Sequence, residues 1–161
     1  MSAPAPPPID DTAAQVLRKF RVVFNAIRSH FRDIEKEAGI GGAQVWALSL
    51  VQATPGAGVG HIAKSMDIHQ STASNLVKTL LGKQLITLTK SVSDKRSVEL
   101  HITAEGTTIL KKIPGPFEGV LPMALATLPA ATLDRLNKDL ADLTLALRAD
   151  EDAGNIPLAN L

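Results

Sequence analysis

The sequence predicts a mainly α fold with one small β-hairpin (α+β), and three observations carry that expectation. Apolar residues recur at three-and-four spacing over long segments near both ends, the same spacing stops and restarts within a few residues mid-chain, and between residues 85 and 103 it gives way to alternation. With 161 residues, 45% of them hydrophobic and 20% charged, the chain can bury one compact core and still carry an oligomerisation element.

The opening Met1–Pro8 (MSAPAPPP) has neither an apolar run nor a basic flank, so it reads as a flexible tail and not as a signal peptide, with residues 1–11 expected to be disordered. From Thr12 to about Glu37, Val16, Phe20, Val23, Phe24, Ile27, Phe31 and Ile34 form one stripe of a long amphipathic helix. Gly39, Gly41 and Gly42 punctuate its end, and Ala43–Ala53 (AQVWALSLVQA) is apolar on most sides, as a short buried helix would be. Thr54-Pro55-Gly56 stops that helix. Val59, Ile62, Ala63 and Met66 then fall at i, i+3, i+4 and i+7, ending near Asp67, and Ala73, Leu76, Val77 and Leu80 repeat the pattern after a tight turn. Two short helices joined in this way are a helix-turn-helix candidate.

Leu85–Lys90 (LITLTK) and Val98–Thr103 (VELHIT) are enriched in β-branched and aliphatic residues and alternate polar with apolar, which predicts two antiparallel strands. Their connector, Ser91–Ser97 (SVSDKRS), is short and polar, and carries Asp94, Lys95 and Arg96 at its tip, where Asp94 is expected to pair with one of the two cations. Thr103 can cap a helix running through Ile109 and Leu110, which Pro114-Gly115-Pro116 must kink or interrupt. A last amphipathic helix, from about Ala130 to Arg148, carries Leu133, Leu136, Leu140, Leu143 and Leu147, and Asp150–Leu161 reads as a frayed tail.

Composition removes several classes of function. The absence of cysteine excludes disulfides, thiolate zinc sites and iron–sulfur clusters, and fits a reducing cytoplasm. No stretch is apolar for long enough to span a bilayer. The four histidines (His30, His61, His69 and His101) lack the pairing of a metal site, so no metal or cofactor is expected. Phosphate loops, a nucleophile elbow and acid-rich metal motifs are also missing, which argues against an enzyme. The net charge of +1 hides an asymmetry. Residues 61–103 hold six cations (Lys64, Lys78, Lys83, Lys90, Lys95, Arg96) against three anions (Asp67, Asp94, Glu99), a balance of +3 that leaves −2 on the rest. A basic middle between neutral or acidic flanks suits a DNA-reading module, although an ordinary solvated face would show the same charge.

Burying Ala73, Leu76, Val77 and Leu80 forces Ser71, Ser74, Asn75 and Lys78 onto the opposite face of their helix. That face is small, polar and cationic, fit for a major groove about 12 Å wide. Arg96, on the neighbouring hairpin, suits the narrow and electronegative minor groove. Either feature alone is what any soluble surface displays; together, in this order, they suggest a winged helix-turn-helix.

The ordered elements resemble the multiple-antibiotic-resistance regulator (MarR) family of bacterial winged helix-turn-helix transcription factors over about residues 12–148. IAKSMDIHQSTASNLVKTLLGKQLI (Ile62–Ile86) is similar to the family's helix-turn-helix, SDKRS to its wing, and ITAEG (Ile102–Gly106) to the segment opening the next helix. The resemblance implies a recognition helix with Gln70, Ser71, Thr72, Ser74, Asn75 and Lys78 in the major groove, and a wing with Lys90, Asp94, Lys95 and Arg96. It also implies a homodimer built from residues 12–38 and 104–150 around a DNA-reading region of residues 39–103, with 151–161 as a tail. A cytoplasmic, nucleoid-associated repressor on a pseudo-palindromic operator, relieved by a small aromatic or anionic effector, is the function so implied. Phe24, His30, Phe31 and Trp46 are the candidate lining of an effector pocket. Three positions depart from the family's habit: Asn75 where Arg is common, Gln84 where Gly is common, and Ser93 where a Pro often precedes the wing Asp. The alternative is a winged-helix protein-interaction module that never touches DNA.

Overall fold

The structure, a computed structural model, describes residue 5 and residues 7–161, so part of the expected N-terminal tail lies outside the described residues. Seven α-helices and one hairpin follow in the order α1 (Asp11–Ala38), α2 (Gly42–Ala53), α3 (Val59–Met66), α4 (Gln70–Gly82), β1 (Ile86–Lys90), β2 (Val98–Ile102), α5 (Ala104–Lys111), α6 (Val120–Ala126) and α7 (Ala130–Leu147). α1 begins where Asp10 accepts from the Ala13 amide at 2.7 Å and ends at Gly39, whose left-handed φ of 72° turns the chain toward α2. Only its second half is anchored: Ile27, Phe31, Ile34 and Ala38 are buried, whereas Val16, Val23 and Phe24 of the same stripe stay exposed.

The core gathers α2, α3, α4, the hairpin and the second half of α1. Leu48, Ile62, Leu80, Ile86, Leu100, Val45 and Val51 are fully enclosed, each such side chain contributing about 1.5–3 kcal/mol relative to exposure. β1 and β2 pair antiparallel from Ile86↔Ile102 to Lys90↔Val98. The base of the hairpin is tied to the loop after α2 by two backbone bonds, Gly56 N–H to Leu100 C=O at 2.8 Å and Leu100 N–H to Ala57 C=O at 3.0 Å. Thr103 caps α5 as expected, accepting from the Gly106 amide at 3.1 Å, and its own hydroxyl donates back to the Leu85 carbonyl at 3.0 Å. A side chain at Gly106 would collide with the Leu85 carbonyl and with Ile102, so glycine is what lets α5 start against β1.

Two segments differ from the sequence reading. The Pro114–Pro116 break is followed by an extra helix, α6, although Pro122 lies inside it; that proline occupies the first turn, where its missing N–H has no helical partner to lose. The expected frayed tail is folded: Glu151–Asn155 and Leu158–Asn160 form 3-10 turns, Pro157 is buried, and Leu158 and Ala159 pack against the core. Apolar Pro157 and Leu158, spaced too closely for an amphipathic helix, gave no periodic signal.

Gln84 links α4 to β1 in the left-handed region at φ 58°, with the Leu85 amide reaching back to the Leu80 carbonyl at 3.0 Å. Its side chain is exposed, so its backbone conformation dominates its effect on stability. Glycine takes that conformation without a Cβ conflict, whereas a β-branched residue resists it. Gln84→Gly should therefore raise unfolding free energy by about 0.5–1 kcal/mol and Gln84→Val lower it by about 1–2 kcal/mol. Urea denaturation of the three proteins checks this, and a valine variant as stable as the glycine one would refute it.

Candidate nucleic-acid interface

α3 and α4 are joined by a turn of minimal length because Asp67 adopts φ 53°, ψ 50°, and the Ile68 amide bonds the Ala63 carbonyl at 3.0 Å. Asp is among the few non-glycine residues that tolerate this left-handed geometry. Ile68 is buried beneath the turn and sets the direction in which α4 departs. Ala73, Leu76, Val77 and Leu80 are buried as the apolar spacing requires. On the other side, Gln70, Ser71, Asn75 and Lys78 are exposed and Thr72 and Ser74 half-buried. Among the described residues none of these six side chains is engaged in an internal hydrogen bond or ion pair; at Asn75 only the backbone carbonyl is used, by Thr79 Oγ1 at 3.0 Å. The first turn of α4 carries no acidic residue and its N-cap, His69, makes no side-chain cap bond. Its leading amides therefore present a partial positive charge that neither the cap residue nor an acidic side chain in that turn answers.

The wing is shaped from within. Ser91 N–H bonds the Ser97 carbonyl at 3.0 Å, closing the turn, and the buried Ser91 hydroxyl lies 3.0 Å from that of Ser93. The Asp94 carboxylate accepts from the Arg96 backbone amide at 2.9 Å, and the Asp94 carbonyl accepts from Ser97 N–H at 3.0 Å and Ser97 Oγ at 3.1 Å. This corrects the sequence expectation: Asp94 holds the tip, but through the backbone and not by pairing with the Arg96 or Lys95 side chain. A two-residue reach to an amide is geometrically easier for the short Asp side chain than closure onto a long, mobile cation. Lys90, Lys95 and Arg96 stay exposed, and the one ion pair among the described residues is a 3.8 Å contact of His101 with Glu99, both about 40% exposed and worth little there. Sequence reasoning passed over Val92, which is 100% exposed beside the charged tip. The available signal was a β-branched apolar residue inside an otherwise polar turn.

Three of the four candidate pocket residues line two separate cavities that share Phe31. Phe24 and Phe31 line a crevice of about 640 Å³ with Ile27, Arg28, Arg32 and Glu35, while Trp46 lines a smaller cavity of about 170 Å³ on the other side of Phe31. His30 lines neither; its Nε2 lies 2.9 Å from the Pro116 carbonyl and ties α1 to the segment before α6. No cluster of metal-ligating side chains occurs among the described residues, and no helix there is long and apolar enough to cross a membrane.

Residues 43–98, which run from α2 into β2, match the family model described as "MarR family". The chain carries a MarR-family domain. Along nearly its whole length the chain is similar to the HTH-type transcriptional repressor MdtR of Bacillus subtilis, 21% identical over 142 residues, covering 88% of this chain and 92% of that protein. It is also similar to the HTH-type transcriptional regulator Hpr of Exiguobacterium sibiricum, 32% identical over 105 residues, which span 63% of this chain and 54% of that relative. Among solved structures, an S. aureus MepR mutant bound to an oligodeoxyribonucleotide superposes with a TM-score of 0.51 at 18% identity, over 86% of this chain and 99% of that one. At such identity the structural likeness speaks for the fold: a mainly helical winged helix with a two-stranded antiparallel hairpin, as in the MarR family.

Within the MarR-family wing, Asp94→Ala removes the acceptor for the Arg96 amide without touching the core. Amide exchange at Arg96 should quicken by an order of magnitude or more while global stability shifts by no more than ~1 kcal/mol. Unchanged protection at Arg96 would mean that the carboxylate does not order the tip.

Proposed function

We propose that the protein is a DNA-binding transcriptional regulator, a cytoplasmic and nucleoid-associated repressor that grips a pseudo-palindromic operator as a homodimer and is relieved by a small aromatic or anionic effector. One observation carries the reading: the outer face of α4 offers six uncommitted polar or cationic side chains behind an uncapped, electropositive helix start, with an unpaired Arg96 on the adjoining hairpin. Water satisfies such a face in the free protein, and what favours a nucleic-acid partner is the combination of this face, the uncapped helix start and the cationic hairpin, whose donors phosphates and base edges can accept from. In this reading Gln70, Ser71, Thr72, Ser74, Asn75 and Lys78 face the major groove, and Lys90, Lys95 and Arg96, held by Asp94, meet phosphates and the minor groove.

The dimer rests on what the protomer leaves unburied. α7 has no buried residue over its 18 positions, and Leu140, Leu143 and Leu147 stay exposed along one stripe. The first half of α1 shows the same deficit, and Val16, Leu17, Phe20 and Phe24 share an apolar groove with Leu143 and Leu147. Two such faces from two-fold related copies cover each other, and the dimer then presents two recognition helices to half-sites about 34 Å apart. The crevice of about 640 Å³ has the size of a ligand pocket, with Phe24 and Phe31 to stack an aromatic ring and Arg28 and Arg32 to meet an anion.

Selection of bound fragments from genomic DNA, followed by gel-shift titration at rising salt, tests the proposal. A dimer in solution and a steep fall of log K with log salt are expected. A monomer, or affinity indifferent to salt, would favour the protein-interaction alternative. On the selected fragment, Arg96→Ala should weaken binding to cognate and unrelated sequences alike and lower the salt slope by about one unit. Asn75→Ala should instead cost about 1–3 kcal/mol on the cognate site and change which base is preferred. Equal losses on every sequence would remove Asn75 from base reading.

A further inference from the structure

We propose that residues 156–161 are a strap docked across the junction between α1 and the helix-turn-helix, and that its docking opposes DNA binding; the idea rests on the DNA-binding reading above. The strap crosses a junction. Leu158 and Ala159 lie over Phe31 of α1, and Ile156, Pro157 and Leu158 line, with Trp46 of α2 and with Met66, Asp67 and Ile68, the cavity beside the turn that aims α4. The seat is cut to fit: a Cβ on Gly42 would lie 2.5 Å from the Phe31 ring and 3.1 Å from the Ala159 Cβ, so glycine at the start of α2 leaves room for ring and strap together.

The strap is also built to come away. Among the described residues no hydrogen bond joins residues 156–161 to the body; the Ile156, Asn160 and Leu161 amides bond only carbonyls within residues 153–158. Pro157 is buried, but Ile156 is 44% and Leu161 81% exposed. An apolar contact without a polar anchor belongs to the least stable part of a fold and exchanges with an undocked state. While docked, it braces the turn before α4 against α1. On this proposal two recognition helices fit one duplex only when that junction is free to re-angle, so that docked strap and bound DNA compete through the geometry of the turn and by linkage each disfavours the other by an equal factor.

Trp46 is the sole tryptophan of the chain and lies in the strap's cavity, so its emission reports docking without a label. The wild-type chain, Leu158→Ala and Leu158→Asp are compared on the genomic fragment selected above. In Leu158→Asp, Trp46 emission should move to the red and become more open to acrylamide, while helicity and dimer mass stay unchanged. Its Kd for the fragment should fall about fivefold or more, with Leu158→Ala between the two. Saturating fragment should shift Trp46 of the wild type toward the variant's emission. Equal or weaker binding by variants whose Trp46 is exposed would overturn the strap while leaving DNA binding intact, as would wild-type emission blind to bound DNA. Should Leu158→Asp lose its helicity, the milder Leu158→Ala decides by the same readings. Absence of binding by every form would overturn the DNA reading and the strap with it.

Discussion

Leu76, Val77 and Leu80 share one core with Leu48, Ile62, Ile86 and Leu100, and the burial of that stripe orients everything on the far side of α4. A helix has only two sides to offer, so once the apolar side is enclosed the position of Ser71, Asn75 and Lys78 is settled without any interaction of their own. The same core fixes the hairpin, because Ile86 and Leu100 are buried in it while the Leu100 backbone is held by Gly56 and Ala57. α4 and the hairpin are thus two outgrowths of one apolar cluster, and their relative placement is as rigid as the packing beneath them.

Much of this was legible in the sequence. The spacing of Val59, Ile62, Ala63 and Met66, and again of Ala73, Leu76, Val77 and Leu80, located α3 and α4 because burial on one side leaves a 3.6-residue imprint. Thr103 was readable as a cap because a hydroxyl before an apolar-periodic run has a specific local partner. Less visible were elements whose stability comes from position. α6 hides behind Pro122, which breaks helices everywhere except in a first turn, and the strap is held by a few contacts from residues far away in the chain. At the candidate site, residue identities could be read, but not partners: His30 was placed in a pocket and instead meets the Pro116 carbonyl, and Asp94 was given a cationic partner and instead takes an amide. The first outcome depends on how the chain returns on itself and the second on the local geometry of one turn, and apolar periodicity encodes neither.

The match to the MarR-family model, residues 43–98, covers the third of the protein in which local pattern and tertiary role agree, whereas α7 is defined by what it fails to bury. A chain with no buried residue in α7 and with the first half of α1 exposed leaves large aliphatic side chains in water, a state that association would relieve. The strap reduces the exposure on another side by covering Phe31.

The hairpin tip has one more consequence. Its loop is kept in shape by Ser91, Asp94 and Ser97 through backbone atoms and short hydroxyl contacts, so the side chains of Val92, Lys95 and Arg96 play no part in folding it. Over generations those three positions are free to drift without eroding the architecture, so the charge and bulk of the tip can be rewritten in three letters on an unchanging frame.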